Sequence, residues 1–339
     1  MDAKAADARN IAAICWEEPD GRLDLPWHIT WWLDGEIYRD IAYAADSEEK
    51  YALIPRESGQ FAVLLTAPDG GELPRPEGYA PWATQQAWLC DWGDSGLENK
   101  RLLASGVIDC RTADNGAALM IYENGKTFLA LYDGQGYREA LIPMEAGVND
   151  VIRAARDATG LWVVTANERG KQNAYRPLVI RDGHTIWQGE PSGFIYSAFT
   201  DGQGGYFVVN TMSKNRTDLI RYDGNASRLW KKELSCGGKS LGALPRLDSE
   251  TGHTVAAGLR TAKSQGIYQA YRLELDEKGR RVSLDVREYP GVEEISASLT
   301  VIPGTGEIWL LIDRYDETGA RFIPFESLPA IDDPGVRIN

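Results

Sequence analysis

The sequence predicts an all-β fold made of repeated units, and three observations lead to this fold class. A short turn rich in Asp, Asn and Gly precedes a short apolar run at seven places in the 339 residues. Asp-Gly pairs separate alternating apolar runs, and few segments have the apolar period of a helix. The 35 glycines and the 10% of aromatic residues are typical of many short strands joined by tight turns.

The first recurrence sets the length of the repeated unit. Gly and Asn suit its turns because tight hairpins place residues at positive φ, which most side chains resist. Successive turns are 44 to 57 residues apart, the length of one four-stranded unit once its loops vary. The apolar runs after the turns are Ile11–Ile14, Phe61–Leu65, Ala118–Ile121, Leu161–Val164, Tyr206–Val209, Val255–Ala257 and Ile308–Leu311.

The second recurrence is an Asp-Gly pair inside most units. Asp-Gly between alternating apolar runs favours a tight hairpin, so it divides the second half of a unit into two strands. Each unit then has four strands, A to D, with a variable loop between B and C. The pairs are Asp34-Gly35, Asp133-Gly134, Asp182-Gly183 and Asp223-Gly224, and the sixth unit stretches the pair to Asp276–Gly279.

Four-stranded units of this kind bury both faces only when they stack around an axis, where only short edges remain exposed. We therefore predict a single domain, a seven-bladed β-propeller of four-stranded antiparallel blades. The inner strand of the first blade must lie within residues 2–8. Either the sequence begins inside that strand or C-terminal residues 331–338 share the blade, and we favour the shared blade. The predicted blades are residues 1–45, 46–105, 106–147, 148–192, 193–240, 241–292 and 293–339.

The repeated unit resembles the blades of the NHL, YVTN and sialidase-like propeller superfamilies over nearly the whole chain. The resemblance is one of pattern, because the chain has no Trp-Asp dipeptide of the WD-repeat kind. The sialidase-type box, Ser-x-Asp-x-Gly-x-x-Trp, is also not met, since Trp162 follows Asp157 and Gly160 at other offsets. The resemblance implies the fold and no particular activity.

The charge balance argues against nucleic acid as a partner. The chain has 50 acidic and 36 basic residues, a formal net charge of −14, and an acidic surface repels phosphate backbones. No run of about 18 apolar residues is present, so no membrane span is predicted. We expect a monomer. The first residues lack a leader's apolar core, so the compartment stays open between export, with a leader that has been removed, and the cytoplasm; we favour export.

Metal and cofactor sites are not predicted, and no catalytic residue is assigned. The four cysteines include no Cys-x-x-Cys pair, and the three histidines fall in different units. Zinc-type spacing is therefore absent. No phosphate-binding glycine loop or Ser-His-Asp order emerges. We expect buried, reduced thiols; a disulfide is the alternative, with a pairing that the sequence does not specify.

The B–C loops of the fourth, fifth and sixth units are basic although the chain is acidic. Residues 166–176, 211–218 and 259–266 together have seven basic and two acidic residues, while the loops 17–26 and 67–82 of the first two units are acidic. Because B–C loops share one rim of a propeller, a basic arc would attract an anionic ligand. The alternative is that these loops are polar only because they are solvated. The candidate ligand-binding residues are Arg169, Lys171, Tyr175, Lys214, Arg216, Arg260 and Lys263.

Aromatic residues border the acidic loops of the first two units. Trp27 and His28 follow the first loop, and Trp82 ends the second. A Trp ring offers a flat apolar face with a polar edge, which suits stacking on a sugar ring. We therefore add Trp27, His28 and Trp82 to the candidate ligand-binding residues.

Three arginines lie on predicted inner strands, namely Arg111, Arg153 and Arg246. A guanidinium that points into the channel could bind a carboxylate through two hydrogen bonds, and Arg153 is the candidate for this role. The offsets of the three arginines from the next glycine differ, so strict alternation does not turn all of them inward. The other interpretation is that they pair with nearby acids such as Asp109 or Asp150.

The leading functional hypothesis is a binding propeller that recognises a carbohydrate or an acidic polymer on the B–C loop face. One alternative is a carbohydrate-active enzyme, a polysaccharide lyase or glycosidase, with an arginine-lined channel. Glu17, Glu18, Asp20 and Asp24 would supply the carboxylate pair for glycoside hydrolysis. The other alternative is a scaffold that binds a protein partner.

Overall fold

In the described part of the chain, the computed structural model shows strands and one short 3-10 turn, in two compact units, residues 3–45 with 194–339, and residues 46–193. No helix in the described part of the chain is long and apolar enough to cross a membrane. The structure describes residues 2–6, 9–16, 27–34, 36–43, 48–56, 59–73, 82–144, 148–168, 174–190, 196–213, 216–236, 239–240, 244–248, 250–261, 268–289, 295–301, 307–314, 320–331 and 336–338.

The unit of residues 46–193 contains two antiparallel sheets, one of seven strands and one of four. The seven-stranded sheet has its strands in chain order: β5 (Lys50–Pro55), β6 (Phe61–Leu73), β7 (Trp82–Gly93), β8 (Gly96–Ala113), β9 (Gly116–Glu123), β10 (Lys126–Asp133) and β11 (Arg138–Pro143). The four-stranded β12–β15 sheet consists of β12 (Val148–Arg156), β13 (Trp162–Glu168), β14 (Ala174–Arg181) and β15 (His184–Gln188).

Strand β8 explains why seven strands form one sheet. It is 18 residues long, and it pairs first with β7 and then with β9, changing partner at Val107. Gly106 precedes this change with a φ of +69°, and a Cβ there would lie 2.5 Å from the carbonyl oxygen of Tyr122. Glycine is needed at this position because the strand both bends and passes close to a neighbouring backbone.

The other unit holds the remaining strands in four sheets. The first sheet has β1 (Asp2–Ala5), β2 (Asn10–Trp16), β3 (Trp27–Leu33) and β4 (Glu36–Tyr43). The β16–β19 sheet has β16 (Tyr196–Thr200), β17 (Tyr206–Ser213), β18 (Arg216–Tyr222) and β19 (Arg228–Cys236). The β20–β24 sheet has β20 (Lys239–Ser240), β21 (Leu244–Leu247), β22 (Thr254–Thr261), β23 (Tyr268–Leu275) and β24 (Arg281–Glu288). A three-stranded sheet has β25 (Ile295–Val301), β26 (Ile308–Arg314) and β27 (Ala320–Pro324), and it precedes the 3-10 turn Phe325–Ser327 and β28 (Val336–Ile338).

The sheets correct part of the prediction of seven separate four-stranded units. Within the described ranges, four separate sheets have four or five strands, and the other two have seven and three. Two predicted blades share one sheet because β8 pairs first with β7 and then with β9 without a break. The predicted strand within residues 2–8 is present as β1, which lies beside β2.

The C-terminal segment follows a different course from the predicted one. Instead of joining the first sheet, β28 pairs with β19, with Arg337 opposite Ser235. Before that, the amide of Ile331 donates to the carbonyl of Val286 on β24. Arg287 fastens this segment, since its Nη1 donates to the carbonyls of Glu326 and Leu328. The segment therefore covers two strand edges that would otherwise be open to pairing.

A carboxylate closes several of the turns that the sequence pattern predicts. In the turn after β12, Oδ1 of Asp157 accepts from the amides of Thr159 and Leu161, at 2.9 and 3.0 Å. The side chain thus satisfies amides that the hairpin leaves without a ladder partner, which is why Asp recurs there. The same pattern, with amides two and four residues on, occurs at Asp133, Asp201, Asp223 and Asp276.

Cys90 and Cys110 are free; Cys90 is buried, as predicted, whereas Cys110 is partly exposed, so the prediction of buried thiols does not hold for it. Burial raises the pKa of both, and that of Cys110 reaches about 12. A thiol with such a pKa stays protonated at neutral pH and is a poor nucleophile.

Candidate ligand-binding face

Seven of the eleven candidate ligand-binding residues have no described side chain. Four lie outside the described residues: Arg169, Lys171, Lys214 and Lys263. For three others only the backbone is described, and Trp27 begins β3, Trp82 begins β7 and Arg260 lies in β22 opposite Gln269. The described side chains are those of His28, Arg153, Tyr175 and Arg216.

His28 is held by a carboxylate in the first sheet. Its Nδ1 lies 2.7 Å from Oδ2 of Asp40, and the hydroxyl of Thr30 donates to Oδ1 of the same carboxylate at 2.6 Å. Asp40 therefore fixes the orientation of the imidazole ring. This contact ties His28 into the sheet between β3 and β4.

Arg216 belongs to a ladder of opposite charges on the β16–β19 sheet. Its guanidinium lies 2.6 Å from a carboxylate oxygen of Glu233, and Nζ of Lys231 lies 2.7 Å from Oδ2 of Asp218. The two cations lie beside two carboxylates on neighbouring strands. The ladder as a whole is therefore neutral, and the predicted basic character of Arg216 is offset by Glu233.

Arg153 and Tyr175 share one face of the β12–β15 sheet. Arg153 lies opposite Thr165, and Asn167 lies opposite both Asp150 and Tyr175. Directly opposed residues point to the same side of a sheet, as do residues two apart on one strand. These five residues form what we call the Arg153 face, at the end of the sheet where β13 stops and β14 starts. The sequence singled out Arg153 and Tyr175 separately, and the strand register brings them together.

A bulge in β12 puts Arg153 on this face. The register shifts between Val151 and Arg153, so Ile152 is an extra residue relative to β13. Val151 pairs with Ala166 and packs in the core shared with the seven-stranded sheet, whereas Arg153 pairs with Thr165 on the opposite side. Without the bulge, Arg153 and Val151 would both face that core. Bulges often redirect a side chain in this way.

Two polar atoms of the Arg153 face are buried without a hydrogen-bond partner in the described part of the chain, namely Oγ1 of Thr165 and Oδ1 of Asn167. The amide nitrogen of Asn167 lies 3.5 Å from Oδ2 of Asp150, which turns Oδ1 away from that carboxylate. Buried polar atoms without a partner are uncommon and point to a group supplied from elsewhere. Arg153, Asn167 and Tyr175 are each partly exposed, so a ligand can reach the edge of the face, although Oγ1 of Thr165 and Oδ1 of Asn167 are themselves buried.

Asp109 joins this sheet to its neighbour in the same unit. Its Oδ2 accepts from the amide of Val151 at 2.8 Å, and its Oδ1 lies 3.1 Å from Nη1 of Arg111. Burial raises the pKa of Asp109, with a smaller contribution from Asp150, while Arg111 opposes the rise. For Arg111, pairing with a nearby acid was thus the right interpretation.

Sequence reasoning missed Asn167 and Thr165 as parts of this face. Both lie at the end of a strand whose apolar run was assigned to the core, and Asn167 falls within the basic loop 166–176. The only signal was polarity at alternate positions at the end of β13. That signal does not separate a ligand-binding face from a solvated strand end.

No protein-family model matches the chain. No curated protein matches it either. Several solved structures are similar to the chain. The chain is similar to the β-propeller domain of Cps50 (Swd1) from Myceliophteria thermophila, with 12% identity, a TM-score of 0.50, and coverage of 94% of this chain and 99% of that one.

Two larger structures, both of peptidases, are similar over nearly the whole chain. A prolyl endopeptidase has 11% identity and a TM-score of 0.51 over 96% of this chain, and an acylaminoacyl peptidase from Pyrococcus horikoshii has 11% and 0.50 over 98%. The chain spans about half the length of each, 50% and 52%.

The chain has a β-propeller fold. At this level of identity the likeness concerns the fold alone, because one fold supports many functions. The propeller therefore takes its functional interpretation from its own residues. Of the described candidates, Arg153 and Tyr175 are the pair that one sheet face brings together.

Proposed function

We propose that the propeller is a binding protein and that its Arg153 face recognises an acidic carbohydrate. One observation carries the proposal: three adjacent strands present a guanidinium, an amide oxygen with no donor in the described part of the chain, and a phenol ring on one partly exposed face. These are the groups of Arg153, Asn167 and Tyr175; the carboxylate of Asp150 lies on the same face, so a ligand carboxylate would compete with it for Arg153.

The chemistry of the face suits a ligand with both carboxylates and hydroxyls. A guanidinium binds a carboxylate through two charge-assisted hydrogen bonds. Oδ1 of Asn167 would accept from a sugar hydroxyl, which offsets the cost of burying that oxygen. The ring of Tyr175 offers an apolar face for a sugar ring. In the sequence, Arg169 and Lys171 come between β13 and β14, outside the described residues.

The acidity of the chain strengthens the argument for a specific anion site. A protein with a formal charge of −14 repels polyanions unless cations are concentrated locally. Residues 166–176 have three basic residues and one acidic residue. Attraction to an acidic polymer would then depend on this short stretch and would weaken with added salt.

The test is a titration of the full-length protein with trigalacturonate and, as the neutral counterpart, galactotriose. Arg153→Gln should weaken trigalacturonate binding about 10- to 100-fold, the loss expected for one charged hydrogen-bond pair. Lys126→Gln is the matched control, because it removes one exposed positive charge from the same unit. Equal affinity for the two sugars, or equal losses in the two variants, would contradict the proposal. New unsaturated or reducing ends during the incubation would identify an enzyme instead.

We also propose that the propeller has seven blades. The two pairings of β8 support this count, since its first part lies beside β7 and its last part beside β9. It would then be the outer strand of one blade and the inner strand of the next. Counting the seven-stranded sheet as two blades and the three-stranded sheet as one gives seven. A crystal structure with six or eight blades would refute it.

A further inference from the structure

Asp109 has a contact that reaches beyond its own sheet. The carboxylate lies on β8, and its Oδ2 accepts from the amide of Val151 on β12 at 2.8 Å. The other oxygen is engaged as well, at 3.1 Å from Nη1 of Arg111. Arg111 in turn donates to the carbonyl of Cys110 at 2.6 Å, which holds the guanidinium beside the carboxylate.

The amide that Asp109 binds is at the start of the β12 bulge. Val151 is the last residue before the register shift, and Arg153 is the first residue after it. A bulge leaves backbone groups outside the regular ladder, and an external acceptor stabilises them. Asp109 provides such an acceptor from the neighbouring sheet of the same unit.

We infer that Asp109 is a positioning residue for the Arg153 face. Its bond to Val151 holds the bulge, and the bulge keeps Arg153 on the same side as Asn167 and Tyr175. Because Arg153 is the group that prefers a carboxylate over a hydroxyl, Asp109 sets the preference of the face for acidic over neutral oligosaccharides. This inference rests on the proposed function and adds to it a residue that does not touch the ligand.

The experiment compares the preference for an acidic sugar among Asp109 variants of the full-length protein. The readout is the ratio of the affinities for trigalacturonate and galactotriose, measured by calorimetry, together with the thermal midpoint of each variant. A general loss of stability weakens the binding of both sugars equally and leaves the ratio of their affinities unchanged. Misplacement of Arg153 lowers the ratio.

We expect Asp109→Ala to lower the ratio at least about 10-fold, because it removes the acceptor for Val151. Asp109→Asn should retain most of the wild-type ratio, since the amide oxygen still accepts that bond. Arg111→Gln serves as the control for the loss of the neighbouring ion pair, and it should also retain the ratio. If Asp109→Ala does not fold, Asp109→Val takes its place, because valine favours strands and also lacks an acceptor.

The outcomes separate the two proposals. A wild-type protein without preference for trigalacturonate would refute the proposed function. If the wild-type protein has that preference and the folded Asp109→Ala or Asp109→Val variant has the same affinity ratio, only the role of Asp109 is refuted, and the proposed function stands. If the affinity ratio of Asp109→Asn falls as far as that of Asp109→Ala, the role of Asp109 is also refuted. The charge of Asp109, and not its hydrogen bond to Val151, would then matter.

Discussion

The Arg153 face and the charge ladder of the β16–β19 sheet begin from similar sequence patterns and end with different properties. Both flank a connection between a second and a third strand that the sequence marks as basic. In the ladder, Glu233 pairs with Arg216, and Asp218 with Lys231. In the Arg153 face, Asn167 and Thr165 have buried polar atoms that find no partner among the described residues.

The comparison shows that the net charge of a loop in the sequence does not determine the net charge of the folded surface that a ligand contacts. Glu233 lies on β19, outside the loop 211–218, yet it offsets Arg216. Within the described ranges Asp218 also has an oxygen without a partner, but its side chain is only 2% exposed. The Arg153 face is the more accessible of the two, because Asn167 as a residue is partly exposed, although its Oδ1 atom is itself buried.

The largest expected effect tests whether the ladder is structural. Lys231→Ala leaves the carboxylate of Asp218 buried without its cation, which should lower the free energy of unfolding by about 2–4 kcal/mol. Urea denaturation measures this loss. Adding Asp218→Asn to the variant should recover part of it, because the buried charge is then gone. A loss near zero would mean that the ladder does not stabilise the sheet.

The second effect compares the two regions directly. Arg153→Gln should weaken trigalacturonate binding by about 1.4–2.7 kcal/mol, while Arg216→Gln should change it by less than about 0.4 kcal/mol. The reason is that Arg216 lies on a different sheet from the Arg153 face, where Glu233 is its partner. Calorimetry on both variants gives the comparison. Equal losses of trigalacturonate affinity in the two variants would contradict binding at the Arg153 face.

The third effect is a pH dependence in the unit that contains the Arg153 face. Burial alone would raise the pKa of Glu139, but hydrogen bonds from Arg156 and Trp162 hold it below the ordinary value of 4.5. The folded protein thus binds this proton less readily than the unfolded chain. The stabilisation is complete well above pH 4.5 and is lost as the pH falls through the folded pKa.

Glu139→Gln should therefore cost about 1–2 kcal/mol of unfolding free energy at neutral pH and progressively less in acid. Urea denaturation between pH 7 and about 3 follows the difference from wild type. Glu123→Gln, at an exposed position of β9, is the control. A difference that does not change with pH would exclude the ionised carboxylate as its source.

The smallest effect is on stability at Arg216. Its pair with Glu233 involves a guanidinium that is 49% exposed, and exposed pairs contribute little. Arg216→Gln should therefore change the free energy of unfolding by about 0.5 kcal/mol or less, a difference that added salt removes. A loss as large as that of Lys231→Ala would make both rungs of the ladder equally structural.

The candidate site was only partly predictable from sequence. Arg153 and Tyr175 were singled out because guanidinium and aromatic groups suit acidic sugars. Their place on one face depends on the bulge at Ile152, and a strict period of two does not include bulges. The hydrogen bond from Val151 to Asp109 joins residues 42 positions apart, on different sheets. No local pattern predicts such a contact.

The sequence alone determined the all-β class, the repeated turns and the strands between them, because these depend on local preferences of Gly, Asp and alternating apolar residues. Tertiary structure decided what depends on pairing between distant segments. It merged β5–β11 into one sheet, placed β28 on β19 and assembled the Arg153 face. The physical reason is that strand pairing is a competition among many open edges, and its outcome depends on the neighbours that the whole chain supplies.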